Sequence, residues 1–222
     1  MKRFNDKVVI ITGADSDIGR TTALRFAKEA ANCVLVGINH DILEYMYADL
    51  PQDHTWINTG NHLTVTCDVN DSEQIEALVK YVLEKYHRID VMINIDTKID
   101  IHQAVIPELI KNQGNIVNVT TLTDIPSGWD IAAYHREKDN FETATKALAL
   151  DNAAKGVRIN AVSAGLVTTD TSSNPFVTHC PLGRTATPSD VTSAIVFLAS
   201  EDASMITGVT LPIDGGISAV NR

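Results

Sequence analysis

The sequence predicts an α/β fold: a doubly wound, mostly parallel seven-stranded sheet with helices on both faces, in one domain over residues 1–222. Three observations carry this. Short apolar, β-branched runs alternate with segments of helical spacing along the whole chain. The strand candidates are apolar at successive positions, as strands covered on both faces need to be. No Pro/Gly/Ser-rich linker, repeat or low-complexity segment divides the 222 residues, a length suited to one sizeable core.

The elements follow in order. "KVVIIT" is a strand, and "TTALRFAKEA" places Ala23, Leu24, Phe26, Ala27 and Ala30 at helical spacing. "NCVLVGI" and "DILEYMYADL" form a second strand–helix pair, and "HLTVTCDV" and "SEQIEALVKYVLEKY" a third. "IDVMINI" is the fourth strand. It leads to the short helix "HQAVIPELIKNQ", whose proline suits a first turn or a kink. "GNIVNVTT" is the fifth strand, followed by the long helix "AYHREKDNFETATKALALDNAAK". "VRINAVSA" is the sixth strand. "PSDVTSAIVFLAS" is a helix opened by proline with a serine or aspartate cap, and "GVTLPID" is the seventh strand.

Composition narrows the function. A net charge of −10 with no concentrated basic patch speaks against a nucleic-acid partner. No apolar run reaches the length of a membrane span, and the start "MKRFNDK" leads into a strand and not into a signal peptide. Cys33, Cys67 and Cys180 are few, scattered and odd in number, which suits core thiols in a reducing, cytoplasmic setting. The seven histidines show no paired ligand spacing and are expected to be solvated or core residues, so no metal site is expected.

Ligands of such sheets bind outside the carboxyl ends of the strands. After the first strand, "TGADSDIG" supplies Gly13 and Gly19 for a tight turn and a close approach to a helix N-terminus that favours an anion. The same glycines would equally serve a strand–helix turn alone. After the third strand, Asp68 in "CDVND" is placed either to hold an adenine amino group or to cap the next helix. Asn94 follows the fourth strand. Thr121 ends the fifth, as a site hydroxyl or as a residue satisfying strand-end backbone groups. Thirteen residues on, Tyr134 precedes Lys138 by four, which puts both on one helix face. An ammonium near a phenol favours phenolate, as a tyrosine acid/base near neutral pH requires.

In "TGADSDIG", "CDV", "GNIVNVTT", "AYHREK", "VRINAVSAGLVTTD" and "PLGRTATPSDVTSAIVFLAS…ITGVTLPIDGG" the chain resembles the short-chain dehydrogenase/reductase family over nearly its whole length. The resemblance implies a Rossmann fold and hydride transfer between NAD or NADP and a small carbonyl or alcohol substrate. It implies that Tyr134 exchanges the substrate proton, that Lys138 lowers its pKa and holds the nicotinamide ribose, and that Thr121 stands for the family serine. Gly13, Ile18, Gly19, Asp68, Val69, Asn94, Val167 and Thr169 would contact the cofactor. A homodimer through the last helix and strand is implied, with a homotetramer as the larger family assembly.

The chain also departs from the family pattern. Asp17 replaces the middle glycine of the loop, Asp96 and Thr97 stand in the strand-four motif, and Ala164 replaces a proline. Gly37, Ile38 and Asn39 offer neither the carboxylate of an NAD site nor the arginine of an NADP site. Between Thr97 and "AVIPELIKNQ" only "KIDIHQ" remains of a loop and half a helix, and the loop after the sixth strand is short. These departures support an alternative: a non-catalytic binding or assembly protein of the same fold.

Overall fold

In a computed structural model the structure describes residues 2–51, 61–95, 100–121, 131–168, 177 and 180–219, and only the backbone course of residues 100, 121 and 131–141. The described residues form β1 (Val8–Thr12), α1 (Asp17–Lys28), β2 (Asn32–Gly37), α2 (His40–Asp49), β3 (Leu63–Thr66), α3 (Ser72–Tyr86), β4 (Val91–Asn94), α4 (Asp100–Asn112), β5 (Asn115–Thr121), α5 (Ile131–Ala153), β6 (Arg158–Ala164), α6 (Pro188–Ala199) and β7 (Thr210–Ile213). The strands make one sheet in the order β3-β2-β1-β4-β5-β6-β7. Every pairing is parallel. The mixed character allowed by the sequence is therefore not used among the described residues.

Successive strand residues feed opposite layers, which explains the continuous apolar runs. Val9, Ile11, Cys33, Leu35, Val91, Ile93, Val117 and Val162 pack with Phe26 of α1, Leu43 of α2 and Ile195 of α6. Val8, Ile10, Val34, Val36, Met92 and Ile116 pack on the other face with Leu78 of α3, Leu109 of α4 and Ala149 of α5. All three cysteines are buried and unpaired, as expected of core thiols.

The helix starts refine the sequence reading. Thr187 caps α6 in a reciprocal box with Asp190, and Pro188 holds the first position, so the cap is a threonine and not the expected serine or aspartate. Asp71, not Asp68, caps α3 by accepting from the Glu73 and Gln74 N–H groups. Pro107 lies inside α4 and not in its first turn.

Sheet order reverses at β1, which lies between β2 and β4. That switch point opens a crevice at the carboxyl ends of the strands. The opposite end is tied by Asp90, which is 3% exposed. It accepts from Val8 N–H and pairs with Lys7 and Arg88. Among the described residues no helix is long and apolar enough to cross a membrane, and no three His, Cys, Asp or Glu side chains group as a metal site.

Candidate active site

The loop after β1 keeps the geometry its two glycines allow. Gly13 has φ +59°, and a Cβ on it would lie 3.3 Å from Ile95 Cβ. A Cβ on Gly19 would lie 2.3 Å from Gly13 O and 2.6 Å from Ala14 Cα, so only glycine lets α1 start against this loop. Ser16 is the N-cap. Its Oγ donates to Gly13 O and accepts from Gly19 N–H. Arg20 N–H reaches Ser16 O, which leaves the N–H groups of Asp17 and Ile18 at the open helix end. The Ile18 side chain is buried in the core.

Asp17 is the first residue of α1 and is exposed. Its carboxylate thus sits where the helix dipole favours negative charge. Arg20, a candidate to neutralise it, is engaged elsewhere: the guanidinium pairs with Asp49 and lies 5.5 Å from the Tyr45 ring centroid.

A residue of the same loop that sequence reading passed over is Asp15. Its Oδ2 accepts from Ile38 N–H and Asn39 N–H, both at 3.1 Å. It fills the space beside Gly37, where a Cβ would lie 2.7 Å from Asp15 Cγ. Asn39 in turn caps α2 through Ile42 N–H. Only the fold shows that the loop after β1 reaches the end of β2.

Asn94 ends β4 and is 2% exposed. It accepts from Thr12 Oγ1 at 2.9 Å, and its Nδ2 lies 3.4 Å from Asn118 Oδ1. His102 on α4, 1% exposed, places Nε2 2.7 Å from the same Asn118 oxygen. This buried polar row crosses β1, β4 and β5 beneath the crevice. His102 and Asn118 were not singled out from sequence, since an isolated histidine and a strand asparagine carry no spacing signal.

Asp68 is exposed, and its carboxylate accepts from the Asn70 N–H and side-chain amide. The Val69 side chain is buried in the layer of α3. Val167 follows β6, bridges to Ala186 and packs on the other layer. Ala164 is buried at the end of β6. Thr169, Asp96 and Thr97 lie outside the described residues.

Thr121 is the last residue of β5, in register with Ala164. Tyr134 and Lys138 fall in the first half of α5. Four residues of helix rise about 6 Å along the axis, roughly one turn. The side chains of Thr121, Tyr134 and Lys138 lie outside the described part of the structure. The parallel sheet places the backbone end of β5 on the same edge as Gly13, Gly37 and Asn94.

Comparison with known proteins gives concordant matches. Residues 7–97 match the family model described as short chain dehydrogenase, and residues 93–218 the one described as enoyl-(acyl carrier protein) reductase. Meso-2,3-butanediol dehydrogenase of Serratia marcescens is 33% identical over 249 positions, covering 98% of this chain and 96% of that protein. A 3-oxoacyl-acyl-carrier-protein reductase of Thermotoga maritima is 31% identical, covering 97% and 99%. NAD+-bound xylitol dehydrogenase superposes with a TM-score of 0.82 at 25% identity, covering 96% of this chain and 100% of the other. The first alignment runs over 249 positions against 222 residues here, so that relative carries residues this chain lacks.

Proposed function

The chain belongs to the short-chain dehydrogenase/reductase family, and from that premise we propose that it is an NAD(P)-dependent oxidoreductase acting on a small carbonyl or alcohol substrate. The observation that supports the reading is that the loop after β1, with Gly13 and Gly19, and the carboxyl ends of β4 at Asn94 and β5 at Thr121 lie on one edge of the parallel sheet. The relatives support the class, being named as a diol dehydrogenase and an oxo-group reductase.

The loop fits a dinucleotide. Gly19 lets α1 start directly against the loop, and the Asp17 and Ile18 N–H groups at that helix start would hold the pyrophosphate. Asp68 and the Val69 backbone would border the adenine. Asn94, Val167 and Thr169 would border the nicotinamide half. When bound, the nicotinamide ring supplies or accepts the hydride. Thr121 would hydrogen-bond the substrate oxygen. Tyr134 would give its phenolic proton to that oxygen during reduction and take it back during oxidation. Lys138, one turn on, would keep the phenol pKa low and hold the nicotinamide ribose.

Assembly as a homodimer through α6 and β7 fits the exposed apolar side chains of Phe197 on α6 and of Met205 and Val209 on the segment that joins the two. A homotetramer would need α4, which here is 13 residues long. The buried thiols suit a reducing compartment such as the cytoplasm.

Tyr134→Phe tests the chemistry. It keeps the ring and removes the transferable proton, so turnover of ketone substrates should fall by about 100-fold or more while NAD(P)H binding persists. Turnover within a few-fold of the parent would reject Tyr134 as the proton donor.

A further inference from the structure

We infer that Asp15 makes the adenosine end of the cleft selective for NAD(H) over NADP(H), an inference that rests on the dinucleotide-binding reading above. The end of β2 has no side chain of its own at Gly37 to meet the adenosine ribose. Its place is taken from the neighbouring loop. A Cβ on Gly37 would lie 2.7 Å from Asp15 Cγ and 2.8 Å from each carboxylate oxygen, so the carboxyl group occupies the volume a residue-37 side chain would fill.

The carboxylate is held there. Oδ2 accepts from Ile38 N–H and Asn39 N–H, at 3.1 Å each, just ahead of α2. Those two donors follow the end of β2, at and before the N-cap Asn39, where an anion at the ribose would otherwise find them. Asp15 is therefore a built-in anion on the donors that a 2′-phosphate would need. Oδ1 has no donor among the described residues, which leaves it able to accept from ribose hydroxyls.

The two cofactors differ at this position in donor character and charge. A ribose 2′-hydroxyl is a donor and matches a fixed carboxylate. A 2′-phosphate only accepts and is negative, so it meets repulsion with its donors already taken. No ion pair joins Asp15 to a cation among the described residues, and Arg20 is committed to Asp49 and Tyr45. Gly37 and Asp15 act as a pair: a bulky side chain at 37 would expel the carboxylate, and a small one at 15 would bare the N–H groups.

Fluorescence titration with NADH and NADPH, and calorimetry with 5′-AMP and adenosine 2′,5′-bisphosphate, test this on the parent, Asp15→Ser and Asp15→Asn. The parent should bind NADH about tenfold tighter than NADPH, or better. Asp15→Ser should shrink that ratio by about tenfold, with the bisphosphate gaining on 5′-AMP in parallel. Asp15→Asn, which keeps an acceptor for the two N–H groups and drops the charge, should lie between them. A parent that prefers NADPH, or a ratio unchanged in both variants, would overturn the inference. If none of the four nucleotides binds the parent, the dinucleotide reading falls with it. If the adenosine nucleotides discriminate but no ketone is turned over, selectivity stands and only the hydride-transfer reading fails.

Discussion

Thr12 Oγ1 donates to Asn94 Oδ1 across 2.9 Å, joining the carboxyl ends of β1 and β4 at the switch point of the sheet. Both residues are buried. Thr12→Val keeps the β-branched shape and removes the donor, so a buried carbonyl loses a partner beneath the crevice. Stability should fall by about 1–3 kcal/mol in urea titration, with weaker NADH binding as the strand ends shift. Unchanged stability would mean that Asn94 is satisfied without Thr12.

Asp17 has opposite effects on the fold and the ligand. As the first residue of α1 it favours the helix N-terminus, by about 0.3–1 kcal/mol for an exposed carboxylate. The same charge opposes a bound pyrophosphate. Asp17→Gly should therefore lower the melting temperature slightly and tighten NADH binding, most clearly at low salt. Binding no tighter than the parent's across a range of salt would show that the carboxylate does not face the ligand.

His62 makes stability pH-dependent. Cys33 N–H donates to its Nδ1 at 3.2 Å, which puts the ring proton on Nε2, 3.4 Å from Pro51 O. Burial holds its pKa below the ordinary 6.5. The unfolded chain thus takes up this proton at higher pH than the folded one, so the stabilisation is present above about pH 6.5 and is lost as pH falls toward the folded value. Urea midpoints should drop between about pH 7.5 and pH 5.5, and His62→Gln should flatten that drop. An equal drop in the variant would assign it to other groups.

Phe197 is the one large apolar side chain of α6 that the described fold leaves exposed. A charge at this position should oppose association without disturbing the core. Light scattering at micromolar concentration should report a dimer for the parent and a monomer for Phe197→Glu. A monomeric parent would refute the proposed interface, and a tight tetramer would mean that α4 still packs across a second one.

Much of this molecule could be read in one dimension. Each strand and helix was expected within a few residues of where it lies, because apolar runs and helical periodicity are local properties, and α3 was expected at Ser72–Tyr86 itself. Gly13 and Gly19 announced their turn because glycine readily takes the positive φ at 13 and because at 19 any Cβ would collide with the loop backbone. The Tyr134–Lys138 spacing is likewise a property of one helix. Pairings between distant segments could not be read this way. Asp15 meets Ile38 and Asn39, Asn118 meets His102, and Cys33 meets His62, each across many residues of chain. The sequence pattern around each partner is silent, since a hydrogen bond between strand ends depends on sheet order and register. The chain's order of elements was thus set by local propensity. Which carboxylate stands at the end of β2 was decided only when the parallel sheet brought the loop after β1 beside it.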